Sequence, residues 1–147
     1  MINKNFLEEP NIVDLTKEIF NEVVRDKLEI DTRFSLLSDD LYDAETINFI
    51  LADGLGYENL NSTDSYLNKN VTKSINTTFP SSTNVALSSI SFMKNPIDHG
   101  LIGYYMYDKS QYGLINALNW NQDNKNLLLS DHFQKQNSIW KIFKENK

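Results

Sequence analysis

Apolar residues recur at helical spacing in two parts of the chain. Ile12, Leu15, Ile19 and Val23 follow Pro10 and Asn11, with Asp14 in the first turn, where negative charge suits the helix dipole. This pattern predicts a peripheral helix packed on a sheet. Near the other end, Ile139, Ile142 and Phe143 repeat the spacing after Asn137 and Ser138, a reasonable cap. Between them lie short apolar runs of another kind. Residues 46–52, TINFILA, are rich in β-branched and aromatic types and lack clean alternation, as expected of a strand buried on both faces of a parallel sheet. The run stops at Asp53, Gly54, Leu55 and Gly56, and a short helix is expected through Leu60. Residues 71–79, VTKSINTTF, alternate well enough for a second strand. Pro80 and the serines then open a helix from Ser82 to about Met93. Residues 101–107 and 114–118 are weaker strand candidates, and residues 26–44 read as connecting structure. Strand–helix–strand–helix order predicts an α/β sandwich.

Composition narrows the classes. The 147 residues are about one domain's worth, 40% hydrophobic and 23% charged, which is the balance of a globular chain. Lysine plus arginine is 14 and aspartate plus glutamate is 20, a net charge of −6. No basic cluster occurs, so no nucleic-acid surface is expected, because neutralising a phosphate backbone takes lysine and arginine. A small phosphorylated substrate is still compatible, since a metal ion could bind it. The absence of cysteine removes disulfides, thiolate metal sites and thiol nucleophiles together, and fits a reducing compartment. The start, MINKNFLEEPN, lacks a basic segment followed by an apolar run, and no stretch approaches the length of a membrane span. The expectation is a soluble, cytoplasmic protein.

Two places have the form of a site. In each, an apolar strand delivers polar residues at its carboxyl end, just before a turn. The first delivers Asp53; the second delivers Ser81, Ser82 and Thr83 at a helix start. Ligands of open α/β sheets bind at the carboxyl ends of strands, and a helix N-terminus offers unpaired N–H groups that favour phosphate. Each also has a plain structural reading. An Asp-Gly pair after a strand is commonly a turn, and serine or threonine before a helix is commonly a cap.

Taken together, ILADGLGYENL and TTFPSSTNVALSSISFMKNPIDHGLIGYYMYD resemble the type I phosphodiesterase/nucleotide pyrophosphatase family of the alkaline phosphatase superfamily. Those proteins have a strand ending in Asp-Gly and then a Phe-Pro or Tyr-Pro step. Three residues past that proline comes a threonine nucleophile, and later a Pro-x-x-His-Gly turn. Here Thr83 stands at that offset from Pro80, Pro96-Ile97-Asp98-His99-Gly100 lies where the turn belongs, and Met106-Tyr107-Asp108 matches a recurring ending. The resemblance covers about residues 47–120. It implies a three-layer sandwich with a mostly parallel sheet, of which residues 1–147 form the N-terminal portion of one catalytic domain.

The resemblance also implies roles. Asp53 corresponds to a metal-binding aspartate, and Thr83 to a nucleophile that also touches the metal and attacks phosphorus in line. The implied cofactor is a pair of divalent ions, zinc by family habit. Where better-known members carry an asparagine that holds a phosphoryl oxygen, spacing puts Tyr104 here, a phenol that can donate one hydrogen bond. Phe92 and Met93 stand where the family often has Thr-Gly. His99 reads as structural, with its ring hydrogen-bonded to backbone, and His132 as a surface residue. Tyr104, Tyr105 and Tyr107 either line a pocket or pack a sheet edge. The remaining metal ligands of the family lie well beyond this stretch. Asp98-His99-Gly100 spells one of its later motifs but belongs to the earlier turn by its proline spacing, and Asp131-His132 lacks the glycine.

The expectation is therefore a phosphodiesterase half-site completed by a C-terminal half in a longer or separate chain, and inactive and aggregation-prone alone. The alternative is a non-catalytic phosphate- or partner-binding protein of the same fold. Phosphonate hydrolysis and phosphoglycerate mutase chemistry are weaker readings, and the Cys/Ser-x-Pro-x-Arg setting of sulfatases is absent.

Overall fold

The computed structural model describes residues 8–24, 30–42, 44–109, 113–117, 121–122, 125–126 and 136–145. Helix α1 (Ile12–Val24) starts from a reciprocal cap: Asn11 Oδ1 accepts from the Val13 N–H at 2.8 Å, and Asp14 Oδ2 accepts from the Asn11 N–H at 3.0 Å. Its buried stripe is Val13, Thr16, Phe20 and Val24, whereas Val23 of the predicted stripe is 47% exposed. The partner explains the difference. α1 packs not on a sheet but on α4 (Thr83–Phe92), and its far end shares a core with α6 (Ile139–Glu145). Phe20, Val24 and Ile139 form that core with Ile30, Met93, Ile142 and Phe143, and the Phe20 and Phe143 rings meet edge-on at 4.4 Å.

Two carboxylates of α1 also face inward. Asp14 Oδ1 receives both Nε and Nη2 of Arg33, at 3.1 and 2.9 Å. Glu18 accepts from the Leu36 N–H at 2.6 Å, the Leu37 N–H at 3.3 Å and the Tyr42 hydroxyl at 2.8 Å. Buried charge persists only when its oxygens are satisfied, and these bonds fasten residues 33–42, with a 3-10 turn at Asp39–Leu41, along the helix.

Residues 46–52 form no regular secondary structure and join no ladder among the described residues. Among the described residues, none of residues 45–51 has a backbone hydrogen bond, and Ile50 is 85% exposed. A strand buried on both faces needs neighbours on both edges, and no described segment pairs with this one. Ile47, Phe49 and Leu51 instead wall an apolar cleft of about 650 Å³ with Phe20, Leu87 and Trp140. Residues 71–79 supply a single parallel bridge, Asn11 to Asn76: the Ile12 N–H donates to the Asn76 carbonyl and the Asn76 N–H to the Pro10 carbonyl, each at 3.0 Å.

Helices α2 (Tyr57–Asn61) and α3 (Tyr66–Lys69) are single turns. The regular sheet is antiparallel, in the order β1 (Tyr105–Asp108), β2 (Gly113–Asn116), β3 (Asn121–Gln122) and β4 (Lys125–Asn126). Tyr105 pairs with Asn116 and Asp108 with Gly113. Connections this short permit only antiparallel neighbours, because a parallel crossover takes a dozen residues or more. Of the expected parallel sheet, the Asn11–Asn76 bridge is the one parallel pairing among the described residues. No helix among the described residues is long and apolar enough to cross a membrane.

Candidate functional site

Asp53 and Thr83 come together across 30 residues of chain. The Thr83 hydroxyl donates to Asp53 Oδ2 over a long 3.4 Å. Each is delivered by local geometry. Leu55 N–H reaches back to the Ala52 carbonyl at 3.5 Å, and Gly54, at φ +73°, takes the third position of that turn, which asks for glycine. Asp53 therefore sits at the turn's second position with its carboxylate in the open. Thr83 is the first residue of α4, with Ser82 as its N-cap. Thr78 buries its hydroxyl against the Pro80 carbonyl at 3.0 Å and so anchors the approach to the helix.

These groups share a cleft of about 600 Å³ with Gly56, Asn59, Asn76 and Ser82. Among the described residues no lysine, arginine or histidine lines it. Among the described lining residues the cleft presents one carboxylate, Asp53, and no side-chain cation. Asp53 and Thr83 offer two hard oxygen donors, whereas zinc takes about four ligands. Among the described residues, no group of three histidine, cysteine, aspartate or glutamate side chains could hold a metal ion. The donors present do not complete a metal site.

Tyr104 does not line this cleft. It immediately precedes β1, is 38% exposed, and its carbonyl accepts from the Ala117 N–H at 2.7 Å. Its neighbour Gly103 is nonetheless tied to α4, because Asn84 Nδ2 donates to the Gly103 carbonyl at 2.6 Å. Tyr105 and Tyr107 are 63% and 65% exposed on β1.

His99 is wholly buried at the end of α5 (Pro96–His99). Its Nδ1 accepts from the Leu101 N–H at 3.0 Å, so Nε2 carries the ring proton and donates to Ser89 Oγ at 2.8 Å. Gln136 Nε2 donates to its carbonyl at 3.0 Å. Burial pushes its pKa down to about 4, with Asp98 opposing and Lys94 assisting. The ring is a structural pin between α4, α5 and the 101–104 segment. His132 lies outside the described residues.

Sequence reasoning passed over Asn84 and Ser89, both buried on α4. The available signal was an asparagine, a residue that competes for backbone hydrogen bonds, directly after Thr83 in the first turn of the expected helix. No family model, curated protein or solved structure matches the chain.

Proposed function

We propose that this chain is the nucleophile-bearing part of a metal-dependent phosphodiesterase, with Thr83 as the attacking hydroxyl and Asp53 as its acidic partner. The observation that carries the reading is the meeting of the Thr83 hydroxyl with the Asp53 carboxylate at a helix start. These are the two residues singled out by the family resemblance, and no local rule of turns or caps requires them to meet. In this reading Asp53 and Thr83 supply two donors to the metal centre, and the remaining donors come from outside the described residues. A C-terminal half, in the same or another chain, completes the site in this reading. The matching fold is an alkaline phosphatase-like sandwich, supported by the parallel bridge at Asn76. A cytoplasmic location belongs to the same reading, supported by the absence of cysteine.

The test is hydrolysis of bis(4-nitrophenyl) phosphate with added zinc or manganese, by the chain alone and by the chain joined to any downstream coding sequence. Activity is expected in the joined protein, and Thr83→Ala lowers kcat on the order of 10³-fold or more, the scale seen when a nucleophile is removed. Equal turnover by the variant would refute the assignment of Thr83. A second reading, a non-catalytic phosphate- or partner-binding protein of the same fold, is favoured by the exposed apolar residues Phe49, Ile50 and Leu51, a surface suited to a partner. It predicts no metal-dependent hydrolysis from either protein.

A further inference from the structure

We propose that Asn84 is a positioning residue that selects the reacting hydroxyl, an inference that rests on Thr83 being the nucleophile. Three adjacent hydroxyl side chains, Ser81, Ser82 and Thr83, line the same cleft. Proximity alone does not distinguish them. The Asn84 carboxamide separates Ser82 from Thr83, because its own orientation is fixed. Buried to 6% exposure, it points Nδ2 at the Gly103 carbonyl, 2.6 Å away. A carbonyl oxygen can only accept, so the nitrogen end must face Gly103 and the oxygen end must face the other way. There Oδ1 meets Ser82 Oγ at 2.9 Å. Oδ1 in turn can only accept, so Ser82 commits its single hydroxyl proton to Asn84.

Ser82 therefore has no proton to give a base in the cleft. Its hydroxyl is also drawn away from the capping bond expected at an N-cap, and none forms. Thr83 sends its proton toward Asp53 instead. The same carboxamide ties the 101–104 segment to the first turn of α4, while His99 pins the far end of that segment through the Leu101 N–H. One side chain thus removes a competitor and steadies the wall beside the nucleophile.

The experiment treats the chain, alone and joined to any downstream coding sequence with zinc added, with a dialkyl fluorophosphate and maps the modified residue by peptide mass spectrometry. In the labelling step an Oγ–P bond forms and the P–F bond breaks. Fluoride leaves, and the hydroxyl proton passes to Asp53 or to water. The wild-type chain is expected to carry the label on Thr83, and Asn84→Ala to share it between Thr83 and Ser82. Asn84→Asp, which loses the donor to Gly103 and gives Ser82 a carboxylate partner like that of Thr83, is expected to move label onto Ser82. This serves as the deciding pair with wild type if the alanine variant does not fold. Thr83 labelling alone in a folded alanine variant overturns the proposal, and so does Thr83 labelling alone in the aspartate variant. Label on Ser81 or Ser82 in the wild type overturns both the proposal and the Thr83 reading. If no protein is labelled, the Thr83 reading fails by itself, and exchange of the Asn84 carboxamide protons decides the tether. Slowed exchange supports it, and exchange at the rate of free asparagine overturns it.

Discussion

Met93 ends α4 at φ +52° and ψ +39°, a left-handed conformation that costs an ordinary residue roughly 1–2 kcal/mol. The family resemblance puts a glycine there, and the structure supplies the reason, since the chain needs positive φ at that point. The side chain survives because it packs on the Phe20, Val24 and Ile139 core. Removing that packing while keeping the strain is the worst choice, so Met93→Ala should be less stable than Met93→Gly by about 1 kcal/mol. Denaturant melts of the two variants check this, and an alanine variant equal to or above the glycine one would refute it. His99 makes a second residue-scale prediction. Its pKa is lowered in the fold to about 4, against 6.5 in the unfolded chain. The unfolded state therefore binds the extra proton, and His99's contribution is fully present above pH 6.5. It is lost as pH falls from 6.5 toward 4, at up to about 1.4 kcal/mol per pH unit. Urea melts at pH 7, 6 and 5 should show that slope, flattened in His99→Asn, whose Oδ1 can still accept from Leu101. An unchanged slope in the variant would assign the titration to other groups.

Helix α1 illustrates how much of an element was legible. Its existence and its start followed from Asn11, Asp14 and the apolar repeat, and the capping pair adds detail to the same signal. Its orientation did not follow. Two apolar stripes run side by side along it, and which one is buried depends on α4 and α6, distant in sequence. Nor does a pattern count announce Asp14 and Glu18 as inward residues, because their partners lie 18 to 24 residues away. Glu18→Gln keeps the size but removes the charge that strengthens three hydrogen bonds. It should cost roughly 1–3 kcal/mol, together with faster amide exchange at Leu36 and Leu37. Unaltered exchange there would mean that Glu18 does not hold the loop. The strand at 46–52 was misjudged in the opposite way. Its composition describes a core segment, but composition cannot supply the neighbours that turn an extended run into a strand. The turn at Asp53 and the helix start at Thr83 were legible, because both are local devices, whereas their meeting depends on how the two segments pack.

At the scale of the molecule, the apolar face is the dominant irregularity. Phe49, Ile50 and Leu51 stand 43%, 85% and 47% exposed beside a cleft walled by Phe20 and Trp140, and Trp140 itself is 67% exposed. Contiguous apolar surface of this kind promotes association. The chain should bind a hydrophobic dye such as ANS and sediment faster as its concentration rises, with Ile50→Lys reducing both effects. Dye fluorescence unchanged by the lysine would locate the sticky surface elsewhere. The same run has a consequence for the cleft at its end. Thr83 rides a helix packed into the core, whereas Asp53 follows residues 45–51, which have no backbone hydrogen bond among the described residues, and is held by the Ala52–Leu55 turn. Among the described residues one jaw has many backbone bonds and the other few. A ligand that bridges them must freeze the second jaw, losing roughly 1–2 kcal/mol of backbone entropy for each residue it orders. Its binding should then be favourable in enthalpy and opposed by entropy. A polypeptide edge paired along 46–51 would order that jaw beforehand, so the edge and the ligand should bind cooperatively, each tightening the other by the same factor without touching it.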